Sequence, residues 1–124
     1  MPFIRTALIP LALIAAAPSA AVERVDVAMA NFSFTPATIH FRHGQPYLLH
    51  LSSSGGHAFA AKAFFAAATI PAADRAKIKG GKIELDGGAS VDIHLTAPAP
   101  GTYPVSCTHF LHTSFGMTGK IIVD

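Results

Sequence analysis

The sequence contains no tryptophan, a single cysteine and few charged side chains. One cysteine excludes a disulfide bond within the chain. Charged residues make up 13% and hydrophobic residues 51% of the 124 positions, a balance that excludes an intrinsically disordered chain. Lysine and arginine form no run: the densest cluster, DRAKIKGGK at 74–82, is too short and too diluted to indicate nucleic-acid binding.

The motifs of common hydrolases are also missing. The sequence has no Gly-x-Ser-x-Gly motif and no paired carboxylates arranged for acid–base catalysis. No internal repeat or low-complexity linker divides the chain, and its length leaves room for one domain rather than two. The composition therefore favours a single folded domain without a hydrolytic site.

The N-terminal segment differs in composition from the rest of the chain. One cation precedes an apolar run over residues 7–17, and small residues follow, which is the pattern of a secretory signal peptide. The run is too short to span a bilayer, and Pro10 interrupts it, although an uncleaved membrane anchor is the alternative. We predict a signal peptide over residues 1–21 and a periplasmic or secreted domain over residues 22–124, with no stable membrane insertion.

The rest of the chain indicates short strands separated by glycine and proline turns. Apolar and polar residues alternate over residues 25–29, which is typical of a strand with one buried face. Similar runs recur at roughly ten-residue spacing, bounded by Gly87-Gly88 or Pro100-Gly101. Only an alanine-rich segment departs from this rhythm, and it predicts one or two short helical turns over about residues 62 to 77. The predicted fold class is all-β, a Greek-key β-sandwich with one short helical excursion.

The cysteine lies in a tail that is rich in metal-binding side chains, CTHFLHTSFGMTGKIIVD. Cys107 is followed by His109, His112 and Met117. A lone cysteine is most often a buried small hydrophobe, but in an exported protein pairing with another chain and binding to a metal are the alternatives. Thioether suits zinc poorly, whereas two histidines, one cysteine and a distant methionine define a mononuclear blue-copper site. The tail therefore predicts one copper ion and requires a second histidine from elsewhere in the fold.

The second histidine is best supplied by His57 among the seven in the chain. It follows Gly55-Gly56 at the end of a predicted strand, at the rim of the sandwich where loops carry functional sites. The remaining candidates occupy a turn or alternating strands and are expected to face solvent, although a secondary copper-loading surface is the alternative for them: His40, His43, His50 and His94.

The segment GTYPVSC…H…GMTGKIIV resembles the C-terminal signature of the cupredoxins, the plastocyanin/azurin superfamily of small blue-copper proteins. In these families a Gly-x-Tyr strand leads into the ligand cysteine, and the cysteine opens a loop that carries histidine and methionine. The spacing Cys107-x4-His112-x4-Met117 is similar to that of rusticyanin. The resemblance extends over the predicted mature chain in strand pattern and is most specific in this C-terminal part.

The resemblance implies His57, Cys107 and His112 as equatorial ligands and Met117 as the weak axial ligand. It also implies a hydrogen bond to the remaining ring N–H of His57, and an electron port at His112 near the rim. His109 is the alternative ligand or a supplementary donor. Many cupredoxins have Asn or Ser directly after the first histidine, where the side chain braces the loop near the sulfur. Ala58 occupies that position here, so a looser or differently tuned site is expected.

The resemblance further implies a monomeric one-electron carrier that docks transiently on a redox partner through an apolar rim, including Phe110 and Phe115. A periplasmic protein for copper binding, delivery or tolerance is the alternative, and His109 and Ala58 favour it. Copper enzymes of this fold need a second copper centre spread over several domains, and Ser106 stands where such enzymes have a linking histidine. We therefore do not expect an enzyme.

Overall fold

The computed structural model describes residues 21–109, 111–112 and 114–124, together with residues 3, 10, 12 and 13. Most of the predicted signal peptide, and Phe110 of the predicted apolar rim, lie outside the described residues. No helix among the described residues is long and apolar enough to cross a membrane. The signal peptide stays a prediction.

The described part of the chain folds into strands with two short helices between the fifth and sixth strands. In chain order the elements are β1 (Glu23–Ala30), β2 (Ser33–Thr35), β3 (Thr38–Phe41), β4 (Pro46–Ser53), β5 (His57–Ala60), α1 (Lys62–Ala67), α2 (Ala72–Arg75), β6 (Lys82–Leu85), β7 (Ser90–Thr96), β8 (Gly101–Ser106) and β9 (Thr118–Val123).

These strands form two sheets, one in the order β2-β1-β4-β7 and one in the order β3-β9-β8-β5-β6. The β1–β4 and β3–β9 pairs are parallel, and the other pairs are antiparallel. Neighbours that are distant in sequence require the chain to cross between the sheets, as in a Greek-key sandwich. The predicted fold class is confirmed, and α1 and α2 confirm the helical excursion.

The core lies between the two sheets and is filled by alternate residues of the strands. Every second residue of β4 is buried, so Leu49 and Leu51 point inward while His50 points outward. Burying an aliphatic side chain of this size stabilises the fold by about 1.5–3 kcal/mol. The helix α1 closes one side of the core with Phe64, whose ring stacks on that of Phe41 at a centroid distance of 5.2 Å.

The strand β5 was not predicted, and its burial explains why. Residues 57–59 are all buried, and β5 lies between β8 and β6 inside the larger sheet. A strand covered on both faces shows no alternation of apolar and polar residues. His57 is the first residue of β5, which begins directly after Gly55-Gly56.

Candidate metal centre

Neighbouring strands bring the predicted ligands together where these strands begin or end, at one end of the larger sheet. His57 begins β5, and Cys107 directly follows β8. These strands run antiparallel, and Ala60, the last residue of β5, lies opposite Ser106, the last residue of β8. The chain after Ser106 therefore runs back alongside β5 toward His57. His112 lies in the loop between Cys107 and β9. The sheet thus supplies two donors from fixed strand ends, and the loop supplies the third.

The three donors lie within bonding reach of one ion. His112 Nδ1 is 3.3 Å from Cys107 Sγ and 3.2 Å from His57 Nδ1. All three ligand atoms lie within 4.8 Å of one another. Ions such as zinc form bonds of about 2.0–2.1 Å to histidine nitrogen and about 2.3 Å to cysteine sulfur, so one ion of this size can contact all three atoms. His57 is 1% exposed and Cys107 0%, which shields these donors from water.

Backbone hydrogen bonds close the loop that carries His112 and Met117. The Cys107 N–H donates to the Met117 carbonyl at 3.1 Å, and the Met117 N–H donates to the His112 carbonyl at 3.0 Å. Gly116 supplies the tight turn before Met117, with a φ of 84° in the region that favours glycine. Met117 is fully buried beside the base of the loop. The backbone therefore fixes where these loop residues stand.

The sulfur of Cys107 also receives a contact from the residue after His57. The Ala58 N–H donates to Cys107 Sγ at 3.4 Å, and Ala58 is fully buried. The methyl side chain of Ala58 offers no hydrogen bond of its own, so Ala58 contributes its backbone N–H to this contact. The side-chain brace that Asn or Ser would provide is absent at this position.

The second ring nitrogen of His57 differs from expectation. Its Nε2 atom is buried and has no hydrogen-bond partner among the described residues, so the predicted hydrogen bond to this ring N–H is wrong for the described structure. Burial lowers the pKa of His57, and the charges of His112 and His109 lower it further. The ring is therefore neutral at physiological pH, which is the form that binds a metal.

His109, the alternative ligand, is engaged elsewhere. Its Nε2 lies 3.2 Å from Glu84 Oε2, and its side chain is 30% exposed. The pKa of Glu84 is lowered, first by this hydrogen bond and then by one from Lys82, with burial opposing them. The group of metal-binding atoms found within the described residues contains His112 and not His109.

Sequence reasoning missed one aromatic residue of the site, Phe32. It lies in the turn between β1 and β2, and its ring contacts His112 edge-on at a centroid distance of 5.2 Å and stacks on Phe115 at 4.8 Å. Phe32, Leu111 and Phe115 are all exposed and form what we call the apolar patch. Only a turn signal at Asn31-Phe32 could have separated this residue from the strand pattern around it.

The outer-face histidines do not form a second centre in the described part of the chain. His40, His43 and His94 are exposed, as predicted, and His50 is half-buried on the outward face of β4. His50 Nδ1 lies 2.6 Å from Asp92 Oδ1, and His94 is similarly paired with Asp74. The described residues contain no further group of three or more such side chains close enough to hold an ion.

A β-sandwich with two imidazoles and a thiolate gathered at one end has the donor set of a mononuclear copper protein. A family model described as copper binding proteins, plastocyanin/azurin family, matches residues 21–124. The chain belongs to this family. The predicted cupredoxin resemblance is thereby confirmed, as is copper as the cofactor. No curated protein matches the chain.

Several solved structures share the fold. Auracyanin B has 18% identity and a TM-score of 0.60, covering 87% of this chain and 93% of its own. Auracyanin A, titled a "blue" copper protein from the green thermophilic photosynthetic bacterium Chloroflexus aurantiacus, has 19% identity and a TM-score of 0.55, covering 82% of this chain and 99% of its own. The multicopper oxidase mgLAC has 19% identity and a TM-score of 0.61, covering 84% of this chain but 39% of its own. At these identities the similarity shows the β-sandwich alone.

Proposed function

We propose that the protein is an exported, monomeric blue-copper protein that carries one electron at a time between partner proteins. The observation that supports this most is the cluster of Cys107 Sγ, His112 Nδ1 and His57 Nδ1, with gaps of 3.2–3.3 Å at His112. We propose that these three residues would hold the copper ion and that the buried Met117 would be a weaker fourth ligand. Copper held there supplies one-electron chemistry by alternating between Cu(I) and Cu(II).

The chain contributes a binding site that needs little rearrangement. His57 and Cys107 stand at the ends of paired strands, and the loop is closed by backbone hydrogen bonds. Donors held in this way keep their positions when the charge of the bound ion changes. Fast one-electron exchange is favoured by such a fixed geometry, so the structure supports electron transfer over a role that requires the site to open.

The apolar patch supports electron exchange through His112. The ring of Phe32 contacts His112 edge-on, and Phe115, which is 60% exposed, stacks on Phe32. Exposed apolar surface of this kind marks an interaction site, and a small contact suits weak and transient docking. We propose that a redox partner docks on this patch and exchanges electrons through the His112 ring.

Location is proposed from the sequence pattern of the N-terminus. The apolar run over residues 7–17, followed by small residues, favours export to the periplasm or beyond. Fractionation of cells that express the full chain, with N-terminal sequencing of the recovered protein, tests this. Recovery from the cytoplasm with residues 1–21 still attached would contradict export.

The electron-carrier proposal is tested by adding Cu(II) to the purified protein. We expect an intense visible thiolate-to-copper band and a reversible one-electron reduction, both abolished in Cys107→Ser. Cys107 Sγ lies 3.3 Å from His112 Nδ1, and this single-atom change removes the strongest ligand while keeping the shape of the side chain. Absence of the band in the wild type, or its survival in the serine variant, contradicts the proposal.

Copper delivery is the second candidate, and the position of His109 favours it. This partly exposed imidazole stands beside the centre, where an ion could be passed in or out. Electron self-exchange separates the two functions: slow exchange together with ready Cu(I) transfer to an acceptor favours delivery. An enzyme has less support, because Ser106 precedes Cys107 and the chain spans 39% of the multicopper oxidase it resembles.

A further inference from the structure

A short polar network lies beside the metal centre, outside the proposed ligands. Lys82 Nζ donates to Thr108 Oγ1 at 3.3 Å and lies 3.4 Å from Glu84 Oε1. The other carboxylate oxygen of Glu84, Oε2, lies 3.2 Å from His109 Nε2. Both oxygens of one carboxylate are therefore engaged, one by a cation and one by an imidazole, and we call Lys82, Glu84, Thr108 and His109 the clamp.

The imidazole of His109 could compete with that of His112 for the copper. His109 lies two residues after Cys107, and its ring centroid is 5.3 Å from that of His112. It also lies close to the His57 loop, since a Cβ atom at Gly56 would stand 3.9 Å from His109 Cε1. His109 and His112 carry the same ligand chemistry on the same loop. Because the two side chains are chemically identical, the groups around them must determine which one binds the copper.

The strand β6 supplies a fixed point for the clamp. Glu84 lies in β6 opposite Ala58, the residue after His57, so its backbone is held by the same sheet as the metal centre. The hydrogen bond to Glu84 directs His109 Nε2 toward β6. From this geometry, and resting on the proposed function, we infer that Glu84 is a positioning residue that holds His109 away from the copper and leaves His112 as the histidine ligand of the loop.

The effect of the clamp is limited by its exposure. The Glu84 side chain is 56% exposed, so water weakens its interaction with His109. Exposed pairs of this kind shift an equilibrium by about twofold to fivefold. The inference is therefore best tested where copper cannot bind through His112, because a small population bound through His109 is then measurable.

Such a measurement is the copper affinity of variants that lack His112, determined by competition with a chelator. In His112→Ala, the loop retains only His109 as an imidazole, and the ion must compete with Glu84 for it. We expect Glu84→Ala to raise the copper affinity of His112→Ala about twofold to fivefold, and Glu84→Gln, whose amide oxygen still accepts a hydrogen bond, to raise it less. Adding His109→Ala should abolish the increase.

Whether Glu84→Ala raises or lowers the copper affinity distinguishes a positioning role of Glu84 from a purely electrostatic one. A carboxylate near a cation attracts it, so a purely electrostatic role for Glu84 predicts weaker copper binding in Glu84→Ala. Asp92→Ala is the matched control, because it breaks another carboxylate–histidine pair, with His50 at 2.6 Å, away from the loop. An unchanged or weaker affinity in His112→Ala/Glu84→Ala, or an equal rise with Asp92→Ala, overturns the inference.

Electron paramagnetic resonance of variants with all proposed ligands provides a second readout. Glu84→Ala should give a second copper signal, and Glu84→Ala/His109→Ala should return to one signal. A second signal that persists without His109 overturns the inference. A wild type without any thiolate-to-copper band contradicts the proposed function itself. A wild type with a normal band, together with Glu84→Ala variants that behave like their parents, contradicts only the role of the clamp.

Discussion

The inner and outer halves of the metal centre are built differently. His57 and Cys107 stand at strand ends inside the larger sheet and are essentially inaccessible to water. His112 stands on a loop, half-buried beneath the ring of Phe32. Elements in the core open rarely, whereas loops open readily. The inner half is therefore suited to retaining the ion, and the outer half to contact with partners and exchange.

The largest effects are expected when His57 and His112 are replaced one at a time. We expect His57→Ala and His112→Ala both to lose the thiolate-to-copper band. Removing a residue that only supports a metal ligand lowers metal affinity by about 10- to 100-fold, and we expect a larger loss of copper affinity when the ligand itself is removed. Added imidazole should restore the band in His112→Ala, because that position opens toward the surface, and leave His57→Ala colourless. Visible titration with imidazole measures this. Equal rescue at both positions would show that the two halves are equally accessible.

Removing a core aromatic beneath the inner half should reduce the stability of the whole domain. Phe59 lies in β5, is fully buried, and contacts the rings of Phe34 and Phe65 at centroid distances of 5.8 and 5.9 Å. We expect Phe59→Ala to lower the free energy of unfolding by about 3–5 kcal/mol, the usual cost of this truncation. Urea unfolding of the copper-free protein measures it. A cost below that of Phe115→Ala would contradict the assignment of β5 to the core.

The contact between α2 and β7, which lies outside the metal loop, should control stability in acid. Hydrogen bonds from Lys77 and then from the His94 backbone lower the pKa of Asp74 from 3.8 to about 2, against the effect of burial. Because the folded pKa is depressed, the stabilisation is complete above the unfolded pKa and is lost as pH falls through about 2. We expect Asp74→Asn to cost about 2 kcal/mol near neutral pH.

Unfolding of the copper-free wild type and Asp74→Asn as pH falls tests this. The two curves should converge as pH falls from 3.8 to about 2. A difference that stays constant over that range would show that Asp74 acts through packing rather than through its charge.

The smallest effect on stability is expected in the apolar patch. Phe115 is exposed, so Phe115→Ser should change the free energy of unfolding by no more than about 0.5 kcal/mol. The same change should slow electron self-exchange, because two copies must bring their His112 rings together through the patch. Nuclear magnetic resonance line broadening in mixtures of reduced and oxidised protein measures the rate. His40→Ala, an exposed change on β3, is the control, and equal rates in both variants would contradict docking through the patch.

The parts of this structure that sequence predicted well are those with a local signal. Residues 25–29 alternate between apolar and polar, and they lie within β1, where Val27 and Met29 are buried as predicted. The loop from Cys107 to Met117 carries its donors in one short segment, so their chemistry was visible without the fold. The helical excursion was also visible, because alanine favours helices and Pro71 divides the segment.

The missed parts depend on contacts between distant segments. The strand β5 has no alternation because both of its faces are covered. Phe32 reaches His112 across the sandwich, and Glu84 reaches His109 from the neighbouring strand. The buried Nε2 of His57 has no hydrogen-bond partner among the described residues, which depends on the groups that surround it after folding. No local pattern marks any of these contacts, so a single sequence could not predict them.

The place of β9 in the larger sheet has a consequence for the order of folding. This strand follows the metal loop and is inserted between β3 and β8. Its register, with Ser106 opposite Thr118, closes the base of the loop. Pairings between distant segments form slowly, because the chain must close a large loop before it gains their contacts. We therefore expect His112 to reach His57 only after this insertion, so that colour regained during refolding in the presence of copper should time the completion of the sheet.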